Sequence, residues 1–195
     1  MAPCRGKPDG CRHGAARRIG PAEDPSFSLG AVADQSAVDR IRRYLEIGRE
    51  EGTLLYESPV PQREGYWVPV CIFTGIRPEH RLAQEEIFGP VLSIMRAADF
   101  DQALRWANST AYALTGGLFS RSPERIRQAR REFRVGNLYI NRAITGAMAG
   151  RQPFGGSGMS GGGTKAGGDE YLLHFLQPRV ITENTMRRGY APENS

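Results

Sequence analysis

Apolar residues recur at helical spacing in three places along the chain and in short strand-like runs between them. After Asp34, the positions Val38, Ile41, Tyr44 and Leu45 share one face. They predict a helix with Asp34 as its N-cap and Gly52 as the residue that ends it. A second set, Phe100, Ala103, Leu104 and Ala107, follows Asp99. A third, Ile126, Ala129 and Phe133, follows Ser122-Pro123-Glu124: a cap, a proline in the first turn and an acid facing the positive end of the helix dipole. Residues 53–56, 66–73, 91–95, 114–119 and 135–140 read as strands. The run 91–95 is short and apolar, which suits a strand buried on both faces. Alternating strands and helices predict an α/β domain whose parallel sheet is flanked by helices.

The texture changes after Asn141. Residues 146–168 are mostly Gly, Ser and Ala, too poor in apolar side chains to pack as an element. A long irregular stretch inside a compact domain is usually functional or disordered. After 171–176, residues 179–182 suggest a last strand and 183–195 a frayed end. At the other end, residues 1–19 are rich in Gly, Pro and Arg with no apolar period and are expected to be disordered. The expected organisation is therefore a leader at 1–19, a domain at 20–178, and a terminal strand and tail at 179–195.

Composition narrows the function classes. The chain has 195 residues, 39% of them hydrophobic and 24% charged, close to the range of ordinary globular domains. No run is long and apolar enough to cross a bilayer, so a soluble, cytoplasmic protein with no membrane partner is expected. The net charge of +5 is carried largely by residues 1–20, where Arg5, Lys7, Arg12, Arg17 and Arg18 face only Asp9. The body lacks basic residues interleaved with aromatics, which argues against a nucleic-acid partner. Cys4, Cys11 and Cys71 form no paired framework, and Cys4, Cys11 and His13 lack the tight spacing that orients a tetrahedral metal, so no metal site is expected. Cys71 sits in an apolar run and reads as a buried, inert thiol.

One glycine motif is a decoy. Residues 156–161, GSGMSG, match the dinucleotide fingerprint letter for letter. That chemistry needs a strand before the first glycine and a helix N-terminus after it. Pro153-Phe154 precedes the motif and Gly161-Gly162-Gly163 follows, so a glycine-rich loop near a substrate mouth is the better reading.

Two other stretches carry more. Gln84-Glu85-Glu86-Ile87-Phe88-Gly89-Pro90-Val91 and, downstream, Arg151-Gln152-Pro153-Phe154-Gly155-Gly156 together resemble the C-terminal half of the NAD(P)-dependent aldehyde dehydrogenase superfamily. Residues 137–142 (NLYINR), 144–147 (ITGA) and 165–168 (KAGG) narrow the likeness to its glutamate γ-semialdehyde (1-pyrroline-5-carboxylate) oxidising branch. The resemblance runs from about residue 20 to the C-terminus and implies an aldehyde dehydrogenase-like catalytic domain, incomplete relative to the family. Taken alone, Glu86 reads as a solvated turn acid and Phe88 as ordinary core. Within the motif, the resemblance implies that Glu86 accepts the hydroxyls of the nicotinamide ribose and Phe88 contacts the nicotinamide. It implies NAD as cofactor, with NADP left open. Gly146 and Ala147 match the pair that binds the substrate carboxylate, chemistry that a glycine-containing turn can supply from its backbone N–H groups. Phe154 matches the aromatic that packs on the substrate's aliphatic stem. Glu85 is expected to be structural and Lys165 to anchor a loop.

The family's mechanism, as implied by the resemblance, is cysteine attack on the aldehyde, hydride transfer and thioester hydrolysis with a glutamate base. The matched region holds no counterpart of that cysteine or base, so no catalytic residue is assigned. Cys71 falls where the family usually has threonine. Three readings follow: a C-terminal fragment inactive alone, an interaction module completing a two-chain enzyme, and, lowest, an autonomous enzyme using Cys71. The expected partners are an aldehyde substrate in the complete enzyme and either a second copy or a complementing N-terminal chain.

Overall fold

The computed structural model describes residues 17–184. Helix α1, Gln35–Glu51, opens where Asp34 accepts the Ala37 N–H at 2.8 Å. It ends at Gly52, whose N–H reaches Gly48 O from an extended backbone, φ −153°, instead of a left-handed one. The buried face of α1, Val38, Ile41 and Leu45, packs on Val68, Cys71, Phe73, Ile76 and Leu82. Burying a side chain the size of Ile41 or Phe73 stabilises by about 1.5–3 kcal/mol.

Under α1 lies a three-stranded sheet in the order β1 (Thr53–Glu57), β2 (Cys71–Thr74), β3 (Val91–Ile94). β1 is antiparallel to β2 and β2 is parallel to β3. A short helix, α2 (Arg81–Gln84), connects β2 to the segment that leads into β3. Next come α3 (Phe100–Ala107), β4 (Tyr112–Ala113), β5 (Thr115–Leu118), α4 (Pro123–Glu132) and β6 (Asn137–Ile140), with β5 parallel to β6. The caps of α3 and α4 are those expected, Asp99 accepting Gln102 N–H and Ser122 accepting Arg125 N–H. β7 (Ser157–Gly158) pairs antiparallel with β4, and a 3₁₀ helix spans Asp169–Phe175.

The α/β class and the parallel pairings hold, but not as one continuous parallel sheet: the strands fall into three separate sheets, one with an antiparallel edge. Four further expectations need correction. Residues 66–70 join no ladder, because Pro69 has no N–H and the Val70 N–H is taken by Ser58 Oγ at 2.9 Å. β3 is a sheet edge with Leu92 46% exposed, so it is not buried on both faces within this chain. Residues 179–182 form no strand, and Val180 is 90% exposed. The expected leader is partly ordered: Ile19 bridges to Leu29, and Arg18 O accepts the Ser28 and Leu29 N–H groups. Residues 1–16, with Cys4, Cys11 and His13, and residues 185–195 lie outside the described residues.

Candidate functional site

The segment between α2 and β3 is held on either side of Glu86 and of Phe88. The Glu51 carboxylate, at the end of α1, accepts the Arg81 and Leu82 N–H groups at 2.8 and 3.0 Å and so caps α2. Gln84 donates to Pro78 O at 2.5 Å. Glu85 takes both arms of Arg81 at 2.8 Å and the Tyr44 hydroxyl at 2.5 Å. The Arg81 bonds, then the Tyr44 bond, hold the Glu85 carboxyl down at about 2. Glu85 is thus a structural clamp, as expected. Two residues on, Arg40 of α1 donates to Ile87 O at 3.1 Å. At Gly89 an added Cβ would lie 2.6 Å from Ile41, so only glycine lets the loop cross α1 here. Pro90 O then accepts the Cys71 N–H at 3.0 Å and leads the chain into β3.

Glu86, between these fixed neighbours, has no hydrogen bond or ion pair to another described residue. It lines a cleft of about 320 Å³ shared with Tyr112, Thr115, Phe133, Val135 and Ser160. Phe88 is 75% exposed and sits at φ 57°, a left-handed conformation. For a bulky side chain that conformation costs on the order of 1–3 kcal/mol and persists only where the surroundings impose it. Phe88 is not among the residues lining the Glu86 cleft.

The second half-site follows β6. Asn141, at φ 54°, closes the C-terminal ends of β5 and β6 by accepting the Ser120 N–H and donating to Ser120 O, at 2.9 and 3.0 Å. Ligands in open α/β sheets gather at such strand ends. Arg142 stacks 5.2 Å over the Tyr139 ring and donates to Thr145 O. The Gln152 amide, in the orientation that satisfies both neighbours, donates to Gly146 O and accepts from Arg142 Nη1, each at 2.9 Å. Gly146 is held at φ 89°. The backbone N–H groups of Gly146 and Ala147 face no acceptor among the described residues.

The chain then returns toward the start of β6. Phe154 exchanges both backbone hydrogen bonds with Ala166 at 2.9 Å and keeps 39% of its surface exposed. Asn137 donates to Pro153 O at 2.9 Å, and Lys165 donates to Gly136 O and Gly155 O at 2.6 Å. Lys165 is a loop anchor, as expected. A Cβ on Gly136 would lie 1.9 Å from Gly155 O. The GSGMSG stretch is the loop around β7, clipped to β4 and followed by turns with no helix. The structure thus brings Glu86 and Ser160 into one cleft and Gly146 beside Gln152, while Gly146, Ala147 and Phe154 do not line the Glu86 cleft.

The sequence reading missed Arg40 and Gly136, and it named Tyr44 and Asn137 without the contacts they make. Tyr44 belongs to the apolar stripe of α1 and Arg40 lies four residues before it, but the stripe marked that face only as core-facing. Cys71 is fully buried, and burial, reinforced by Glu57 and opposed by Arg49, pushes its thiol up to about 12. It is no nucleophile at neutral pH. His174 is spent on Thr164 at 2.5 Å. Among the described residues, no cluster of His, Cys, Asp and Glu could hold a metal, and no helix is long and apolar enough to cross a membrane.

Together these features make an α/β chain with a clamped acid–aromatic segment and a glycine loop beyond a parallel strand pair. The aldehyde dehydrogenase family matches residues 12–181, and the chain belongs to that family. It is 45% identical over 166 residues to a 1-pyrroline-5-carboxylate dehydrogenase of Geobacillus sp. (strain WCH70), covering 85% of this chain and 32% of the relative. The Bacillus subtilis (strain 168) protein of the same name is 44% identical, with 85% and 32% covered. The chain therefore spans about a third of the length of these relatives. Among solved structures, a Thermus 1-pyrroline-5-carboxylate dehydrogenase with bound NAD superposes with a TM-score of 0.81 at 46% identity, over 85% of this chain and 32% of that one. Proline utilization A from Bdellovibrio bacteriovorus superposes with a TM-score of 0.86 at 48% identity, over 94% of this chain and 19% of that one.

Proposed function

We propose that the chain is the C-terminal part of an NAD-dependent dehydrogenase that oxidises glutamate γ-semialdehyde to glutamate, and that it supplies one wall of the cofactor and substrate sites. The observation that carries this is Glu86: a carboxylate without a partner, held at a cleft by a chain pinned at Glu85 and Ile87. Unpartnered acceptors on a fixed backbone are preorganised for a diol, and the nicotinamide ribose presents one. Phe88, kept exposed in a costly conformation, fits as the flat apolar wall beside the ring. NAD, when bound, supplies the hydride acceptor. The two unpaired N–H groups of Gly146 and Ala147 receive the α-carboxylate of the substrate, and Phe154 packs on its methylene stem. The likeness to 1-pyrroline-5-carboxylate dehydrogenases and to proline utilization A, and the NAD bound in the Thermus structure, support the assignment.

On this reading the nucleophilic thiol comes from the remainder of a longer enzyme or from a second chain, since a thiol like Cys71, raised to about 12, does not attack at neutral pH. The open edge of β3 and the exposed Phe119, Phe175 and Ile181 favour docking against such a remainder. The test is to mix the chain with the N-terminal two-thirds of the Bacillus subtilis relative and follow NADH. Turnover is expected from the mixture only, and faster with glutamate γ-semialdehyde than with butyraldehyde, which has no α-carboxylate. Equal rates on both aldehydes would remove the carboxylate-binding role of Gly146 and Ala147.

A further inference from the structure

Among the described residues, the Glu86 and Phe88 side chains have no hydrogen bond, ion pair or ring contact, so their geometry is inherited from neighbours. Two of those neighbours are pinned from one face of α1, by side chains one helical turn apart: Tyr44 on Glu85, and Arg40 on the carbonyl of Ile87. The second contact matters more for Phe88. The Ile87 carbonyl and the Phe88 N–H belong to one rigid peptide plane. Rotating that plane to release Phe88 from φ 57° swings the carbonyl away from Arg40. The left-handed turn would otherwise relax, because nothing about a phenylalanine favours it.

We infer that Arg40 is a positioning residue for the nicotinamide nucleotide, holding the Ile87–Phe88 peptide in the orientation that presents Glu86 and Phe88 together, with Tyr44 securing the same loop through Glu85. This rests on the cofactor reading above. Arg40 does not line the Glu86 cleft; it acts through a backbone carbonyl 47 positions away in sequence. The guanidinium is suited to the task because its planar fork is preorganised and never loses its charge. Its neighbour Arg42, exposed on the same helix and bonded to no described residue of the loop, provides the control.

The test uses the 195-residue chain with two readouts. The first is native-state cleavage by chymotrypsin after Phe88, with the Phe88–Gly89 product identified by mass spectrometry. The second is affinity for nicotinamide mononucleotide, by calorimetric titration of the chain mixed with the N-terminal two-thirds of the Bacillus subtilis relative, because the chain supplies only one wall of the cofactor site. In Arg40→Met, cleavage is expected to rise and affinity to fall by about tenfold each, the worth of one hydrogen bond to a charged group. Arg40→Lys recovers part of both, Arg42→Met changes neither, and all variants keep the parent's cooperative melt. If Arg40→Met cleaves and binds like the parent, the positioning role is wrong while the cofactor reading stands. If the parent itself binds no nicotinamide mononucleotide, the cofactor reading falls and the role falls with it. If cleavage rises with affinity unchanged, Arg40 is a purely structural strut and the inference is overturned.

Discussion

The Tyr44 hydroxyl donates to Glu85 Oε2 at 2.5 Å across 41 residues of sequence, and Arg81 grips both oxygens of the same carboxylate. This contact ties α1 to the segment carrying Glu86, so the helix that fills the core also sets the site. Tyr44→Phe keeps the ring and removes only the donor. It is expected to lower the unfolding free energy by about 1 kcal/mol, read from urea denaturation. An unchanged midpoint would show that the clamp closes on Arg81 alone.

The same carboxylate makes stability depend on pH. Its folded pKa is held at about 2 against an ordinary 4.5, by Arg81 first and Tyr44 second. A carboxyl depressed on folding contributes above its unfolded value and loses that contribution as pH falls through the folded one. The window therefore runs from 4.5 down to about 2. Both side chains of the ion pair are roughly two-fifths exposed, so solvent screening keeps the effect small. Thermal melts taken across this window should fall less steeply for Glu85→Gln than for the parent. Parallel curves would contradict the clamp.

Gly136 is expected to be intolerant of any side chain. An alanine Cβ would sit 1.9 Å from Gly155 O and 2.7 Å from Gly156 Cα, forcing the Phe154 loop off β6. Gly136→Ala should cost about 2 kcal/mol, in the range of overpacked cores, by denaturant titration. Lys165→Met, which strips the donor from Gly136 O and Gly155 O, should loosen the same loop. A neutral Gly136→Ala would mean that the loop has an alternative seat.

Cys71 should be silent to alkylation. With its thiol at about 12, roughly one molecule in 10⁵ is thiolate at pH 7, and the side chain is fully buried. Iodoacetamide followed by peptide mass spectrometry should find it unmodified in the folded chain and modified in urea. Rapid labelling of the folded chain would reopen the case for Cys71 as nucleophile.

The helices were legible because their signals are local: Asp34, Asp99 and Ser122 each accept the N–H expected of a cap, and Ser122-Pro123 starts α4 where the proline requires. The strand runs located β1, β3, β5 and β6 but not their partners, since pairing is a long-range property. Pro69 shortened β2 for a reason visible in the sequence, but the capture of Val70 by Ser58 could not be foreseen. The apolar run before residue 182 looked like a strand because its side chains are right, yet no neighbouring strand is present to pair with it among the described residues. At the candidate site, the motif pointed to Glu86 and Phe88, while the reasons for the rest of that motif emerged only in three dimensions. Glu85 is there for Tyr44 and Arg81, Gly89 for Ile41, and the Ile87 carbonyl for Arg40.

The most direct measurement of the central claim is the rate of NADH formation by the chain complemented with the N-terminal two-thirds of the Bacillus subtilis relative, for the parent and for Glu86→Gln. Glu86 bonds to no other described residue, so the substitution should leave the melting temperature unchanged. Losing one charge-assisted acceptor to the ribose should lower turnover by about tenfold or more, with the KM for glutamate γ-semialdehyde little affected. Full activity in Glu86→Gln, or turnover by the parent chain with no complement added, would contradict the account.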